Sequence, residues 1–247
     1  MAGNGKFLVL QLRPEDEAAD GEYEAFLAQG GLAAGEVHRV RLEQAGLPKG
    51  LSLSDYAGII VGGGPGCVSD APATKDPVEA RIEAEMLGLM PEIVARDIPF
   101  MGCCYGIGIL AHHLGAEVSK RQYSEPVGPV DCQMTEAAAS DPLTQGLETD
   151  FTALVGHKEA VQDLPEGAVH LVASGPCPFQ MIRAGDNVYA TQFHPEADGD
   201  VFEARIRIYR DRGYFAPEDA DRLVEASHAA EVTVPPQILA NFVARYR

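Results

Sequence analysis

Basic residues are scarce in this sequence. Its 247 residues include 19 lysines and arginines against 37 aspartates and glutamates, which gives a formal net charge of −18. Binding to nucleic acid or to an anionic membrane needs clustered lysine and arginine, so this balance argues against both kinds of partner. No apolar run approaches membrane-spanning length, and the first residues lack the pattern of a signal peptide. We therefore expect neither a membrane span nor a secretory signal.

The sequence also lacks the cysteine spacings of metal sites and disulfide frameworks. Its five cysteines are an odd number, irregularly spaced and without a C-x-x-C pair. Reduced thiols in a cytoplasm are the expectation, with neither a zinc site nor a disulfide framework. A P-loop for nucleotide phosphates is absent as well.

What is present is the composition and patterning of one large α/β domain. The chain is 46% hydrophobic and 23% charged, as in globular proteins. Apolar runs predict strands at 7–12, 37–42 and 56–61, and an amphipathic segment at 76–95 predicts a long helix. This βαβ pattern predicts an open, mostly parallel central sheet flanked by helices.

The second half of the chain reads as strands followed by helices. Candidate strands lie at 116–119, 127–134, 151–155, 169–173, 179–183 and 188–193. Candidate helices lie at 22–28, at 141–146 for a single turn, and at 201–212, 217–230 and 235–247. We expect a single domain over 1–247, with a core at about 7–196 and a helical C-terminal extension at about 198–247.

The most informative stretch is P-F-M-G-C-C-Y-G-I-G at 99–108. An apolar strand that turns sharply into a helix is typical of a nucleophile elbow, and small residues on both sides of Cys104 allow a strained turn. A cysteine at a helix N-terminus is also placed where the helix dipole favours a thiolate. The alternative is that Cys103 and Cys104 are a buried pair that behaves as small hydrophobes.

A glycine-rich turn and a histidine–glutamate pair add to this signal. G-G-G-P-G at 62–66 follows a predicted strand, where its N–H groups would form an oxyanion hole if Cys104 lies at the end of the next strand. The alternative is that these glycines serve only to form a tight turn. His194 and Glu196 follow the last strand and would supply a base and its orienting carboxylate.

Together these features resemble a class I, triad-type glutamine amidotransferase domain, in the GMP-synthase-like branch. Three blocks carry the resemblance in order: the strand and turn at 58–66, G-C-C-Y-G at 102–106 and T-Q-F-H-P-E at 191–196. A weaker block is G-H-K-E at 156–159, and the resemblance spans about 7–196. It implies a flavodoxin-like amidotransferase fold without metal or organic cofactor.

The resemblance also implies roles for particular residues. Cys104 would be the nucleophile, His194 the base and Glu196 the orienting carboxylate. Backbone N–H groups at Gly64 and Tyr105 would form the oxyanion hole, and glutamine would be hydrolysed to glutamate and ammonia through a thioester. The candidates for substrate binding are Gly63, Gly108, His157 and Gln192.

Two departures from the family pattern bear on substrate and partner. Members that use free glutamine usually carry a glutamine four residues after the nucleophile, where this chain has Gly108. Tyr105, Tyr123, Glu125 and Gln180 are candidates to replace that contact. No ATP-binding domain accompanies these motifs, so we expect a separate synthetase or acceptor subunit or a stand-alone amidase, with a homodimer as one assembly to test.

Two other functions stay open at this point. A γ-glutamyl amide or peptide is an alternative substrate, because related γ-glutamyl hydrolases also lack the glutamine. A catalytically silent regulatory or binding protein would fit Gly108 and the missing synthetase, although it leaves the intact triad residues unexplained. A thiol chaperone or redox sensor does not explain His194 and Glu196.

Overall fold

The computed structural model describes residues 5–247, in which the chain forms eleven strands and seven α-helices. The strands are β1 (Lys6–Gln11), β2 (Val37–Arg41), β3 (Tyr56–Val61), β4 (Phe100–Cys103), β5 (Val118–Ser119), β6 (Gly128–Met134), β7 (Asp150–Val155), β8 (Ala160–Val161), β9 (Val169–Ser174), β10 (Met181–Ala184) and β11 (Val188–Thr191). The helices are α1 (Asp16–Gly30), α2 (Leu42–Ala45), α3 (Pro77–Ala95), α4 (Tyr105–His113), α5 (Gly199–Ile208), α6 (Ala220–Ala229) and α7 (Val234–Tyr246).

Nine of the strands form one sheet in the order β2-β1-β3-β4-β11-β10-β9-β6-β7. The strands from β2 to β11 in this order are parallel, and the remaining pairs are antiparallel. The short strands β5 and β8 pair separately. The predicted α/β fold with an open, mostly parallel central sheet is confirmed.

The pairing of β4 with β11 brings the candidate site residues together. These strands are parallel neighbours, and Thr191 at the end of β11 is level with Cys103 at the end of β4. The carboxyl ends of parallel strands share one edge of the sheet, so the segments that follow these two strands meet there. Residues about 90 positions apart in sequence are thereby brought into one place.

Both faces of the sheet are buried, and alternate residues of each strand serve opposite faces. Leu8 and Leu10 of β1 pack in the same cluster as the inward side of α3 and α4. Phe7 and Val9 pack in a second cluster, which includes residues of α1 and α7. Cys103 belongs to this second cluster and is fully buried, so its side chain packs in the core.

The C-terminal helices pack on the body of the sheet. Phe242 of α7 is completely buried, and its ring lies 6.3 Å from that of Phe7 in β1. Phe202 and Ile206 of α5 form a third cluster with Leu154 of β7 and part of α6. Among the helices at 5–247, none is both long and apolar enough to cross a membrane.

Three local elements are described more exactly by the structure than by the sequence pattern, and one predicted bound was wrong. Helix α1 covers 16–30 rather than 22–28, because its inward face consists largely of alanines and a buried glutamate that an apolar pattern does not reveal. Helix α4 begins at Tyr105, directly after the elbow cysteine. A single hydrogen-bonded turn lies at 141–146 as expected, in which the N–H of Gln145 donates to the carbonyl oxygen of Asp141, and a 3-10 helix precedes it at Glu136–Ser140.

Replacing Phe242 tests whether α7 is part of the core. We expect Phe242→Ala to lower the free energy of unfolding by about 3–5 kcal/mol, because it removes a fully buried aromatic ring. Urea unfolding measures this change. Ala244→Gln, at an exposed position of the same helix, should stay within about 0.5 kcal/mol of wild type. Equal stability of the two variants would contradict the packing described.

Candidate active site

Cys104 occupies a strained elbow between β4 and α4. Its backbone dihedrals are φ 53° and ψ −92°, a conformation that non-glycine residues rarely adopt. Strain of this kind persists only where the surrounding structure enforces it, and it is concentrated at functional sites. A Cβ atom at Gly102 would lie 3.0 Å from the carbonyl carbon of Gly106, so glycine permits the two flanks of the elbow to approach each other.

The elbow is tied to the end of β11. The backbone N–H of Cys104 donates a hydrogen bond of 2.7 Å to the carbonyl oxygen of Thr191. Three residues further on, the N–H of His194 donates to the carbonyl of Leu154 in β7. The Sγ atom of Cys104 lies 3.7 Å from the carbonyl oxygen of Gly156, just beyond that strand. Cys104 and His194 are thus both held against the end of β7.

His194 and Glu196 form a buried pair. Nδ1 of His194 lies 2.9 Å from Oε1 of Glu196, and both side chains are almost completely buried. Because a carboxylate only accepts hydrogen bonds, the proton of a neutral His194 is assigned to Nδ1. This leaves Nε2 with a lone pair, which is the state a general base needs.

The environment keeps His194 neutral and Glu196 ionised. Burial lowers the pKa of His194 below its ordinary value, although Glu196 acts to raise it. Burial alone would raise the pKa of Glu196, but interaction with His194 and the guanidinium of Arg205 holds it well below its usual range. Nη2 of Arg205 donates a hydrogen bond of 2.8 Å to Oε1 of Glu196.

The thiol of Cys104 is protonated in this conformation. Burial raises the pKa of Cys104 to about 12, and the nearby charge of Arg13 only partly opposes this. The start of α4 was expected to favour a thiolate, whereas burial of the thiol favours its protonated form in this conformation. A base is needed to take the thiol proton.

The glycine turn after β3 borders the same place. Gly64 lines the cavities beside both Cys104 and His194. The N–H of Gly63 donates instead to Oε1 of Glu22, at 3.1 Å. A Cβ atom at Gly63 would lie 2.7 Å from Cε1 of His194 and 2.6 Å from Nη2 of Arg13, so only glycine fits there.

A small cavity adjoins the cysteine. Its volume is about 20 Å³, which is room for about one water molecule. Besides Cys104 and Gly64, four of the candidate site residues line this cavity, namely Tyr105, Gly108, His157 and Gln192. Gly63 does not line it. Its lining includes Tyr105, Gly108, His157, Lys158, Glu159, Gln192 and Tyr214.

Glu159 is a feature that the sequence reasoning missed. A Cβ atom at Gly108 would lie 3.3 Å from Oε1 of Glu159, so this carboxylate occupies the space next to the missing side chain. Glu159 is held by the N–H groups of Val68 and Ser69, at 2.7 and 2.8 Å. The G-H-K-E block contained the signal, but nothing in the sequence placed its glutamate opposite Gly108.

His157 is engaged within the protein. Its Nδ1 lies 2.8 Å from the carbonyl oxygen of Glu159, and its Nε2 lies 2.8 Å from Glu125. Glu125 also accepts hydrogen bonds from Gln180 and Ser174. Glu125, His157 and Cys177 are close enough to suggest a metal site, but the hydrogen bonds satisfy the carboxylate without an ion.

The other side chains proposed to replace the missing glutamine also have partners elsewhere. The hydroxyl of Tyr105 donates to Glu83 at 3.0 Å, and the ring of Tyr123 packs edge-on against Phe179. Of the polar groups that line the cavity, Glu159 is therefore the one nearest to the position that a side chain at Gly108 would occupy.

A second cavity lies on the other side of the turn, beside His194. Its volume is about 30 Å³. Its lining includes Arg13, Gly64, His194, Phe202, Arg205, Ile206, Tyr209, Tyr214 and Phe215. Tyr214 is common to both cavities, and Nζ of Lys158 lies 4.8 Å from the centre of its ring.

Comparison with known proteins is consistent with this geometry. The model of the glutamine amidotransferase class-I family matches residues 20–207, which is well over half of the chain. An open α/β sheet with a cysteine elbow at its carboxyl edge defines the broad class, and the chain belongs to the class I glutamine amidotransferase family.

Relatives that resemble the chain in sequence include GMP synthases. The chain is 34% identical over 152 residues to the GMP synthase [glutamine-hydrolyzing] of Thermosipho melanesiensis, covering 60% of this chain and 26% of that protein. It is 31% identical over 153 residues to that of Streptococcus pyogenes, covering 59% and 25% respectively. The chain thus spans about a quarter of the length of these relatives.

Solved structures share the fold over nearly the whole chain. A glutamine amidotransferase from Thermotoga maritima superimposes with a TM-score of 0.76 at 20% identity, covering 98% of this chain and 99% of the other. A glutamine amido transferase from Methylobacillus flagellatus gives a TM-score of 0.68 at 20% identity, covering 98% and 93%. At this identity the likeness shows the fold alone.

Replacing Glu196 tests the electrostatics of the histidine. Glu196 raises the pKa of His194 against the effect of burial, so Glu196→Gln should lower that pKa further. Titration of the imidazole signal by NMR measures the shift, with His194→Asn to assign the signal. The other six histidines serve as internal controls. A rise in the pKa of His194 would show that the pair is not arranged as described.

Proposed function

We propose that this chain is a cysteine amidase that hydrolyses the side-chain amide of glutamine, with Cys104, His194 and Glu196 as its catalytic triad. The observation that carries the proposal is the strained Cys104 elbow, which is hydrogen-bonded to the end of β11, the strand that leads directly into the buried His194–Glu196 pair. Membership of the amidotransferase family agrees with this chemistry.

The first half of the reaction forms a thioester. Nε2 of His194 takes the thiol proton as Sγ of Cys104 attacks the amide carbon of glutamine. The oxygen of that carbonyl becomes an oxyanion, which the N–H groups of Gly64 and Tyr105 stabilise by hydrogen bonds. The C–N bond then breaks, and the protonated His194 returns its proton to the departing nitrogen, so that ammonia leaves.

The second half releases glutamate. His194 removes a proton from a water molecule, and the resulting hydroxide attacks the thioester carbon. The C–S bond breaks, the thiolate of Cys104 recovers the proton from His194, and glutamate leaves. Glu196 keeps the imidazole in the required orientation throughout and stabilises its charged form.

Recognition of the amino acid would rest on Glu159 and Lys158. The α-ammonium group of glutamine needs an anion and its α-carboxylate needs a cation, and this pair lines the cavity beside Cys104. Two backbone N–H groups occupy part of the Glu159 carboxylate, which has about four acceptor positions and so retains capacity for an ammonium group. Glu159 would thus compensate for Gly108. His157 would act indirectly by holding this loop, and Gln192 would complete the wall.

The small cavity beside His194 favours ammonia over a larger amine as the leaving group. Phe202, Ile206 and Phe215 close it with apolar side chains, and a space of about 30 Å³ accepts a molecule the size of water or ammonia. A γ-glutamyl amide with a bulky amine would have to displace these side chains. The cavity beside Cys104 must itself widen to admit glutamine, and Tyr214, which lines both cavities, is the side chain best placed to move.

Ammonia would pass to an acceptor that a synthetase partner activates. The named relatives are glutamine-hydrolysing GMP synthases of about four times the matched length, so an acceptor-activating partner is the counterpart we propose here. All five cysteines are free, which suits the reducing environment of a cytoplasm.

Covalent labelling tests the nucleophile and the substrate together. We expect a glutamine-mimicking diazo-ketone to add once to the wild-type chain and not to Cys104→Ala, as measured by intact mass. Cys67→Ala is the matched control, because Cys67 is also buried near the glycine turn and has no role in the mechanism. Ammonia release from glutamine should follow the same pattern.

Other results would favour the alternatives. Amine release from γ-glutamyl amides without ammonia release from glutamine would replace the substrate and keep the chemistry. Labelling that does not depend on Cys104, together with no turnover of either substrate, would favour a catalytically silent member of the fold.

A second variant tests the role of Glu159. Glu159→Gln should lower the preference for glutamine over glutaramate, its analogue without the α-amino group, by roughly 10–100-fold, the value of one hydrogen bond to a charged group. The measurement is the ratio of the two kcat/KM values. Damage to the loop would reduce both values equally and leave the ratio unchanged, which would exclude recognition by Glu159.

A further inference from the structure

Arg205 of α5 is buried beside the triad. Its side chain is 6% exposed, and Nη2 donates to Oε1 of Glu196 at 2.8 Å. This oxygen of Glu196 is the one that accepts from His194. Arg205 therefore contacts the atom that orients the base.

The same arginine reaches towards the glycine turn through Glu22. Nη2 of Arg205 lies 3.7 Å from Oε1 of Glu22, which is fully buried in α1. Oε1 of Glu22 accepts from the N–H of Gly63 at 3.1 Å and from Nε of Arg13 at 2.8 Å. Arg205 thus lies between the triad carboxylate and the carboxylate that holds the turn next to Gly64.

Arg205 also has hydrogen-bond donors without a partner among the described residues. Its Nε and Nη1 atoms are buried, and no acceptor for them lies in the described part of the chain. Its side chain lines the cavity next to His194. If Arg205 had a purely structural role, we would expect these donors to be hydrogen-bonded, since buried polar groups are nearly always paired.

We propose that Arg205 is a positioning residue for the amidase reaction, which fixes Glu196 and, through Glu22, the oxyanion turn relative to each other. This inference rests on the proposed function. The planar guanidinium is suited to the role, because its fork of N–H donors can address two carboxylates at once, whereas a lysine ammonium is a flexible point charge.

A positive charge here also acts on the base. Arg205 and Arg13 lower the pKa of His194, whereas Glu196 raises it. Loss of the charge at position 205 should therefore raise the pKa of His194. The charged and titratable groups around the imidazole are Glu196 on its own loop, Cys104 on the elbow, Arg13 after β1, Glu22 on α1, Arg205 on α5, and Tyr209 and Tyr214 around the second cavity.

Three variants on one helix test the proposal. In Arg205→Gln we expect kcat for glutamine to fall roughly 10–100-fold, as for other residues that orient a catalytic group, with KM almost unchanged. The pKa of His194, measured by NMR without substrate, should rise. Arg205→Lys should keep this pKa near the wild-type value and still lose part of kcat. Arg207→Gln is the matched control, because Arg207 is exposed on the same helix.

The outcomes separate this inference from the proposed function. A wild-type chain that releases no ammonia refutes the proposed function, whatever Arg205 does. An active wild type, with a folded Arg205→Gln that keeps both its kcat and the pKa of His194, overturns the role of Arg205. If Arg205→Gln does not fold, Arg205→Lys decides: reduced kcat with unchanged KM supports the proposal, and wild-type kcat overturns it.

Discussion

The parallel hydrogen bonding between β4 and β11 is the constraint on which the rest of the site depends. It places the segment after Cys103 beside the segment after Thr191. The N–H of Cys104 donates directly to the carbonyl oxygen of Thr191, the last residue of β11. β11 is reached only after the chain has left the parallel half of the sheet and returned through antiparallel strands. The elbow and the histidine loop therefore depend on the whole sheet and on no local segment of it.

Burial determines how the chemistry starts. A solvent-excluded thiol resists ionisation, and an equally buried imidazole resists protonation, so both groups rest in their neutral forms. In the proposed reaction, this neutral imidazole would take the proton of the neutral thiol as the thiol attacks the substrate carbonyl. The same exclusion of water strengthens the hydrogen bonds that stabilise an oxyanion.

The charges that remain are compensated inside a buried network. Arg13, Glu22, Arg205 and Glu196 come from four parts of the chain and meet beside His194. Each would be costly to bury alone, and together they link the first helix, the glycine turn and the C-terminal part of the chain. The family model extends to residue 207, so it includes this arginine, although the motifs that identify the family end at Glu196.

The sequence by itself determined the elements that local patterns encode: the parallel strands, the tight turn at Cys104 and the succession of the three family blocks. These follow from apolar periodicity and from the few residues that tolerate such backbone geometry. Tertiary structure alone decided that Glu159 faces Gly108 and that the thiol of Cys104 is desolvated. It also decided that Arg205 contacts Glu196, although the sequence pattern had assigned the helix of Arg205 to a C-terminal extension. The two contacts depend on distances between residues that are remote in sequence, and the desolvation depends on the exclusion of solvent from one buried atom. The periodicity of apolar residues along the sequence carries no information about either.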